Sequence, residues 1–127
     1  MTWGGIDHVQ VAVPPASEDR CRAFYVDVLG LSEIDKPAAL QSRGGLWLRA
    51  GTHELHLGVE ADFRPARKAH PAFRVADLDG LVSRLAAADV PLTWPDPDEI
   101  PGRRRFFAAD PFGNRLEFID ASTAFTE

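Results

Sequence analysis

Three histidines and one glutamate stand at corresponding positions in the two halves of this 127-residue chain. His8 and His70 are 62 residues apart, and His56 and Glu117 are 61 residues apart. Imidazole and carboxylate ligands, with no thiolate among them, suit a borderline divalent ion such as Zn, Ni, Mn, Fe(II) or Co. The four side chains therefore predict one divalent metal ion per site, and the sequence leaves its identity open.

The sequence around each of these four residues alternates between apolar and other side chains, as in a strand with two different faces. Val9 and Val11 fall on the face opposite His8, and the same alternation surrounds the other three residues. Because alternate side chains of a strand point to opposite faces of the sheet, the ligands are expected on one face and the packing residues on the other.

Glu54 shares the predicted strand face of His56, so either residue could supply the ligand from this strand. His56 is preferred because its place between Leu55 and Leu57 matches that of Glu117 between two apolar residues. A histidine in a strand is also common as a hydrogen-bonded structural residue, and a glutamate as a member of a surface ion pair. These structural alternatives stay open for each residue taken alone.

Four further residues are predicted to extend the same face and to line a substrate pocket: Gln10, Trp47, Arg74 and Phe106. Trp47 and Phe106 can equally be core residues. The run Arg103-Arg104-Arg105 either binds a substrate carboxylate or phosphate, or is the solvated charge of a loop. Glu117 is the predicted catalytic residue, because a carboxylate that loosens from the metal can move a proton; the alternative is that a metal-bound water or a substrate hydroxyl does so.

The segments that carry these residues indicate one order of elements, βαβββ, used twice. In each half the first strand leads into an amphipathic helix, which Ser17 or Asp77 is expected to cap. The strands are predicted at residues 6–13, 31–35, 46–49 and 54–59, and again at 70–75, 91–94, 104–109 and 115–119. We therefore predict one α+β domain over residues 1–127, with a first module at about 5–60 and a second at about 69–121.

The composition is that of an ordinary globular chain, with 45% hydrophobic residues and a net charge of −5. Because the basic residues form only one short run, no surface that neutralises nucleic-acid phosphates is expected. The start of the sequence has no signal-peptide pattern, and no later stretch is apolar enough to span a bilayer. With a single cysteine, Cys21, these features predict a cytoplasmic protein that does not insert into a membrane.

Four segments together resemble the vicinal oxygen chelate superfamily, also called the glyoxalase/bleomycin resistance protein/dioxygenase family. They are Ile6-Asp-His8, Phe24-Tyr-Val-Asp-Val-Leu-Gly-Leu31, His70-Pro-Ala-Phe-Arg-Val-Ala-Asp-Leu78 and Asp110-Pro-Phe-Gly-Asn-Arg-Leu-Glu117. The resemblance spans nearly the whole chain. It implies a glyoxalase-like fold of two βαβββ modules that form a cupped mixed sheet, a homodimer and a small-molecule substrate.

The resemblance also implies a ligand set. In glyoxalase I the metal takes one ligand from the first and last strand of each module, which carries over to His8, His56, His70 and Glu117. In the fosfomycin-modifying members three ligands suffice, and these correspond to His8, His70 and Glu117. Bacterial glyoxalase I has a glutamate where this chain has His56, so a second carboxylate for proton transfer is missing here unless Glu54 supplies it.

Two classes of function follow from the resemblance. The first is a metal-dependent enzyme, in which the ion chelates substrate oxygens and stabilises an enolate- or alkoxide-like intermediate. Lyase, isomerase or transferase chemistry ranks above dioxygenase chemistry here. The alternative is a metal-free protein that sequesters an antibiotic, as bleomycin resistance proteins do. The complete ligand set favours the enzyme.

Overall fold

The structure is a computed structural model that describes residues 1–122, so the last five residues of the predicted domain lie outside the described part. Contacts divide the chain into two compact units, Met1–Pro65 and the residues from Ala66 onward, which are called unit one and unit two below. Among residues 1–122, no helix has the length and apolar character needed to cross a membrane.

Unit one contains a four-stranded mixed sheet and short helical segments. Its strands are β1 (His8–Val13), β2 (Ser32–Ile34), β3 (Leu46–Ala50) and β4 (His53–Val59), in the spatial order β1-β4-β3-β2. β1 runs parallel to β4, and the other neighbours are antiparallel. The helical segments are α1 (Glu18–Cys21), its π-helical continuation Arg22–Val28, and a 3₁₀ helix at Ala38–Arg43.

One face of this sheet forms the core of unit one, because side chains alternate along each strand. The strand residues that face the core are at most 7% exposed: Val11, Val13, Leu46, Leu48, Leu55 and Leu57. The helical segments add the buried side chains Cys21, Phe24 and Tyr25. The opposite face is left to the polar and aromatic residues of the candidate site.

Unit two is built in the same way from three strands and one helix. The strands are β5 (Ala72–Val75), β6 (Arg105–Ala109) and β7 (Arg115–Asp120), in the order β5-β7-β6, and the helix is α2 (Leu78–Ala87). The Asp77 carboxylate caps α2 by accepting a hydrogen bond of 3.0 Å from the Gly80 N–H, as predicted. The apolar stripe of α2 and the core face of the sheet are buried: Leu78, Leu81, Leu85, Phe106, Leu116 and Phe118.

One residue of each sheet occupies the same position relative to its two neighbouring strands. In unit one, His56 on β4 is paired with Gln10 on β1 at one side and with Trp47 on β3 at the other. In unit two, Glu117 on β7 occupies the matching place between β5 and β6. His56 and Glu117 are therefore equivalent positions of a repeated unit.

The α+β class and the mixed sheets are confirmed, whereas three local predictions were wrong. Residues 91–94 form a single antiparallel bridge, Thr93 to Phe107, instead of a strand, since flanking prolines cannot donate to a ladder. His70 precedes β5 instead of opening it, because Pro71 has no N–H to pair. Ser17 does not cap α1, because its hydroxyl donates to the Pro14 carbonyl at 2.6 Å.

Candidate metal centre and substrate pocket

His56 is held in unit one by a stack of three aromatic rings. Its ring centroid lies 4.1 Å from that of His8, with 18° between the planes, and 3.9 Å from that of Trp47, with 5° between the planes. The residue is only 4% exposed. Because the flanking rings come from the two neighbouring strands, they fix the plane of the imidazole between them.

The nitrogens of the two stacked imidazoles face carboxylates. His56 Nε2 lies 2.9 Å from Glu54 Oε1, and Glu54 is also 3.6 Å from the Arg49 guanidinium. His8 donates from Nδ1 to Asp7 Oδ1 at 2.9 Å. An imidazole that donates one N–H to a carboxylate and keeps the other nitrogen for an ion is a common arrangement in metal sites.

In unit two, His70 and Glu117 form a second pair of this kind. His70 Nε2 lies 2.9 Å from Glu117 Oε1, and Nδ1 lies 2.8 Å from the Lys68 carbonyl oxygen. Both partners of the ring are acceptors, so both bonds form only when each ring nitrogen carries a hydrogen. A divalent ion can replace the hydrogen on Nε2 while the bond from Nδ1 to the backbone carbonyl keeps the ring oriented.

Arg105 completes the surroundings of Glu117. Its guanidinium donates to Glu117 Oε2 and to Glu99 Oε2, each at 3.1 Å. The side chains of Arg105 and Glu117 are both 10% exposed, whereas that of Glu99 is 59% exposed. The second oxygen of Glu117 is therefore fixed by a shielded cation, and Oε1 is directed to His70.

Unit one has no counterpart of this arginine. Gly45 lies just before β3, at the position that corresponds to Arg105 at the start of β6. It lies so close to the next strand that a Cβ would sit 2.0 Å from the Leu57 carbonyl oxygen. Its backbone N–H donates to Glu18 Oε2 at 2.8 Å, and this hydrogen bond lowers the pKa of Glu18. The position therefore has room for a backbone contact but not for a side chain.

A pocket of about 710 Å³ lies over the polar face of unit one. It contains the stacked rings His8, Trp47 and His56, together with Gln10 and Glu54. The remaining wall comes from the residue before β1, the β2–β3 connection and the end of β4, namely Asp7, Lys36, Leu40, Arg43, Gly44, Leu57, Gly58 and Val59. Its volume lies in the range of small-molecule sites.

Phe106 was wrongly placed on the polar face. It is fully buried, pairs with Phe118 in the ladder and lies 5.3 Å from that ring, so it belongs to the core of unit two. The ring beside Glu117 is that of Phe107, over which the Arg115 guanidinium lies at 4.0 Å. Two adjacent apolar residues in one strand do not reveal which of them faces the site.

The other cationic candidates are engaged within the chain. Arg104 pairs with Asp79 at 2.7 Å, so the arginine run is divided between a surface ion pair and the Glu117 network. Arg74 is exposed and its guanidinium lies 3.5 Å from the Ala121 carbonyl oxygen. Arg104 and Arg105, two residues of the run for which substrate binding and solvated loop charge were both considered, thus make their ion pairs within unit two.

The model of the Glyoxalase/Bleomycin resistance protein/Dioxygenase superfamily matches residues 5–118. The chain belongs to this superfamily. No curated protein sequence is similar enough to the chain to count as a match.

Solved structures of glyoxalase family proteins share the fold. One from Bacillus anthracis is 44% identical to this superfamily member, with a TM-score of 0.89; the aligned region covers 94% of this chain and 97% of the Bacillus anthracis chain. One from Enterococcus faecalis is 24% identical over 94% of this chain and 100% of its own, with a TM-score of 0.72. A lactoylglutathione lyase from Agrobacterium tumefaciens is 20% identical over 94% of this chain and 96% of its own chain, with a TM-score of 0.69. At this identity the likeness shows the fold alone.

The candidate ligands of this superfamily member are brought together in pairs, His8 with His56 and His70 with Glu117. Within residues 1–122, no group of three or more His, Cys, Asp or Glu side chains is close enough to hold a metal ion. Each unit nevertheless sets a histidine nitrogen 2.9 Å from a carboxylate oxygen. Two adjacent ligands with bonds of about 2.1 Å at a right angle are also roughly 3 Å apart, so the His70 and Glu117 donors, 2.9 Å apart, fit one ion.

Sequence patterns missed the residues that surround these pairs. Arg105 falls within the strand predicted at 104–109, but it was interpreted only as part of an arginine run, and its place two residues before Phe107, on the face of Glu117, was not recognised. Lys36 and Arg43 lie outside the strands, where alternation gives no signal.

Proposed function

We propose that this protein is a metal-dependent enzyme that acts on a small molecule, with His8, His56, His70 and Glu117 as the ligands of one divalent ion. The observation that carries the proposal is that His56 and Glu117 occupy equivalent register positions and that each has a second proposed ligand beside it. His8 stacks on His56 at 4.1 Å between ring centroids, and His70 Nε2 lies 2.9 Å from Glu117 Oε1. When bound, such an ion would act as a Lewis acid toward two neighbouring substrate oxygens. This chemistry suits a lyase, isomerase or transferase, and less well a dioxygenase.

In this proposal Glu117 also moves the proton. Its Oε2 is held by the Arg105 guanidinium, so Oε1, which lies 2.9 Å from His70 Nε2, is the oxygen that would carry the proton. A carboxylate held by one oxygen keeps its negative charge and its direction, which a general base needs. Glu54, at 2.9 Å from His56, is the corresponding carboxylate of unit one and can supply the second base.

The pocket of unit one would hold the substrate. Trp47 and the stacked imidazoles give it an aromatic wall, and Gln10 gives it a polar group between β1 and β4. From superfamily membership we further propose a homodimer in the cytoplasm, as members of this superfamily commonly act on small molecules as dimers.

The test is metal analysis of protein purified without a histidine tag and loaded separately with Zn, Ni, Mn, Fe(II) or Co. We expect about one ion per chain, with the stoichiometry lost in His8→Ala and in Glu117→Ala. His53→Ala is the matched control, because His53 lies on the same strand as His56 but is exposed and contacts Thr52. Absence of a bound ion from every preparation, or equal loss in the control, would contradict the proposal.

The metal-free sequestering protein remains the second candidate because of the ring stack itself. Trp47, His56 and His8 line one pocket as a continuous aromatic surface, to which a flat antibiotic ring could add. Titration calorimetry of bleomycin into metal-treated and into chelator-treated protein distinguishes the two candidate functions. Tight binding by the chelator-treated protein, together with no retained ion, would favour sequestration.

A further inference from the structure

The pocket of unit one has two chemically different ends. At one end, His8 and Glu54 are register partners on the parallel strands β1 and β4. At the other end, Gly44 packs against the last residue of β4, since a Cβ on Gly44 would lie 3.1 Å from Val59 Cγ2. The pocket therefore follows the direction of β4, and Gly44 places its neighbour Arg43 at the Val59 end.

Both cations of the pocket belong to this second end. Arg43 immediately precedes Gly44, and the Lys36 ammonium donates to the Gly44 carbonyl oxygen. Val59 follows His56 by three residues, which corresponds to roughly 10 Å along an extended strand. The cationic end is thus separated from the stacked histidines by about the length of a small organic molecule.

The charges at the two ends are balanced differently. The acids at the histidine end are used within the chain, Asp7 by His8 and Glu54 by His56. In the part of the chain that the structure describes, by contrast, Arg43 makes no ion pair or hydrogen bond. Glu18, the acid that interacts with Lys36, already accepts the Gly45 N–H. Positive charge is therefore available at the Val59 end.

Gln10 lies between the two ends. Its side-chain amide covers Gly58, where its atoms lie 2.8–3.1 Å from the place a Cβ would take. Within residues 1–122 this amide has no hydrogen-bond partner, although it lines the pocket. A residue larger than glycine at 58 would displace it, so the sequence keeps a free amide donor and acceptor at the middle of the pocket.

We propose that the substrate is a small organic anion whose carboxylate binds Arg43 and Lys36, while its reacting oxygens lie at the His8 and His56 end and Gln10 contacts the part between them. The assignment of the reacting end rests on the proposed metal-dependent function. The cationic end rests only on the pocket, so an anion should be recognised with or without an ion at the histidines.

The experiment compares an acid with its isosteric neutral amide by titration calorimetry. Dihydrocaffeate and its amide carry two neighbouring oxygens at one end and differ only in charge at the other, and hydrocinnamate and its amide lack those oxygens. Because a charge-assisted hydrogen bond is stronger than a neutral one, we expect each acid to bind at least about tenfold more tightly than its amide. Arg43→Met should reduce this ratio to near one.

The matched control is Arg64→Met, since Arg64 is another exposed arginine of unit one but does not line the pocket. It should leave the ratio between acid and amide unchanged. Equal binding of acid and amide, no measurable binding of either acid, or an unchanged ratio in Arg43→Met would overturn the inference.

The same titrations separate this inference from the proposed function. If adding the metal strengthens dihydrocaffeate binding but charge at the far end has no effect, the substrate assignment is wrong and the metal site stands. If charge matters for both acids but no metal is retained, the anion site stands and the metal-dependent function is wrong.

Discussion

His56 and Glu117 occupy the same place in the two repeated units, yet their surroundings differ in kind. His56 lies between two aromatic rings, whereas Glu117 lies between an imidazole and a guanidinium. A ring stack orients an imidazole through its faces and adds no charge, which suits a neutral ligand. A carboxylate has no comparable faces, and directional bonds to its oxygens are what fix it.

The difference can be traced to one pair of equivalent positions, Gly45 just before β3 and Arg105 at the start of β6. Arg105 reaches Glu117 from there, but Gly45 brings its backbone against the Leu57 carbonyl and can carry no side chain. The duplicated fold therefore supplies equivalent backbone positions, and the residues beside them decide how each donor is held. His56 is held by two rings and the Glu54 carboxylate, and Glu117 by an imidazole and a guanidinium.

The largest effect is expected from Gly45→Ala. The new Cβ would lie 2.0 Å from the Leu57 carbonyl oxygen, at a backbone φ of +79° that L-residues rarely adopt. Moving the backbone and accepting the left-handed conformation should lower the free energy of unfolding by about 3 kcal/mol or more. Urea denaturation gives this difference directly.

Gly51→Ala is the control for the loss of stability that comes from the left-handed backbone conformation alone. Gly51 also has a positive φ, +62°, but no atom lies within 4 Å of the place of its Cβ. Its substitution should cost only about 1–2 kcal/mol. Similar losses in the two variants would show that the close approach at Gly45 does not exclude a side chain.

An intermediate effect is expected from Arg105→Met, which leaves Glu117 Oε2 without its cation. On the proposed function, removing a group that orients a ligand should weaken metal affinity by roughly 10–100-fold. Competition titration with a chelating dye measures the affinity, and Arg105→Lys should restore part of it. Arg104→Met is the control, because Arg104 pairs with the exposed Asp79 instead.

The opposite result would be equally informative. An affinity that rises in Arg105→Met would mean that the guanidinium competes with the ion for Glu117. The charge network would then be a substitute for the metal, and the two units would differ in function as well as in the means of holding their donors.

The repeat and the faces of its strands could be predicted from sequence because both depend on local alternation. Spacing alone paired His56 with Glu117, and the register shows the same equivalence. Alternation fails where two apolar residues adjoin, as at Phe106 and Phe107, and where the deciding contact crosses strands, as from Arg105 to Glu117. Such contacts depend on the register between strands, which the pattern within one strand does not contain.

The smallest effect is expected from Glu18→Gln, and it depends on pH. The hydrogen bond from the Gly45 N–H holds the pKa of Glu18 below its usual value of 4.5, so ionised Glu18 stabilises the fold at neutral pH. That contribution is complete above the unfolded pKa and is lost as the pH falls from 4.5 through the lower folded pKa. Since the carboxylate is partly in water, the free energies of unfolding of wild type and variant should differ by at most about 1 kcal/mol at pH 7 and converge in acid.

Urea denaturation across this pH range measures the difference, with Asp19→Asn, a fully exposed neighbour, as the control. If the difference in free energy of unfolding between wild type and Glu18→Gln is the same at every pH, the Gly45 N–H does not favour the charged form of the carboxylate. The contact between Gly45 and Glu18, which takes the place of the Arg105 contact in unit one, would then make no electrostatic contribution to stability.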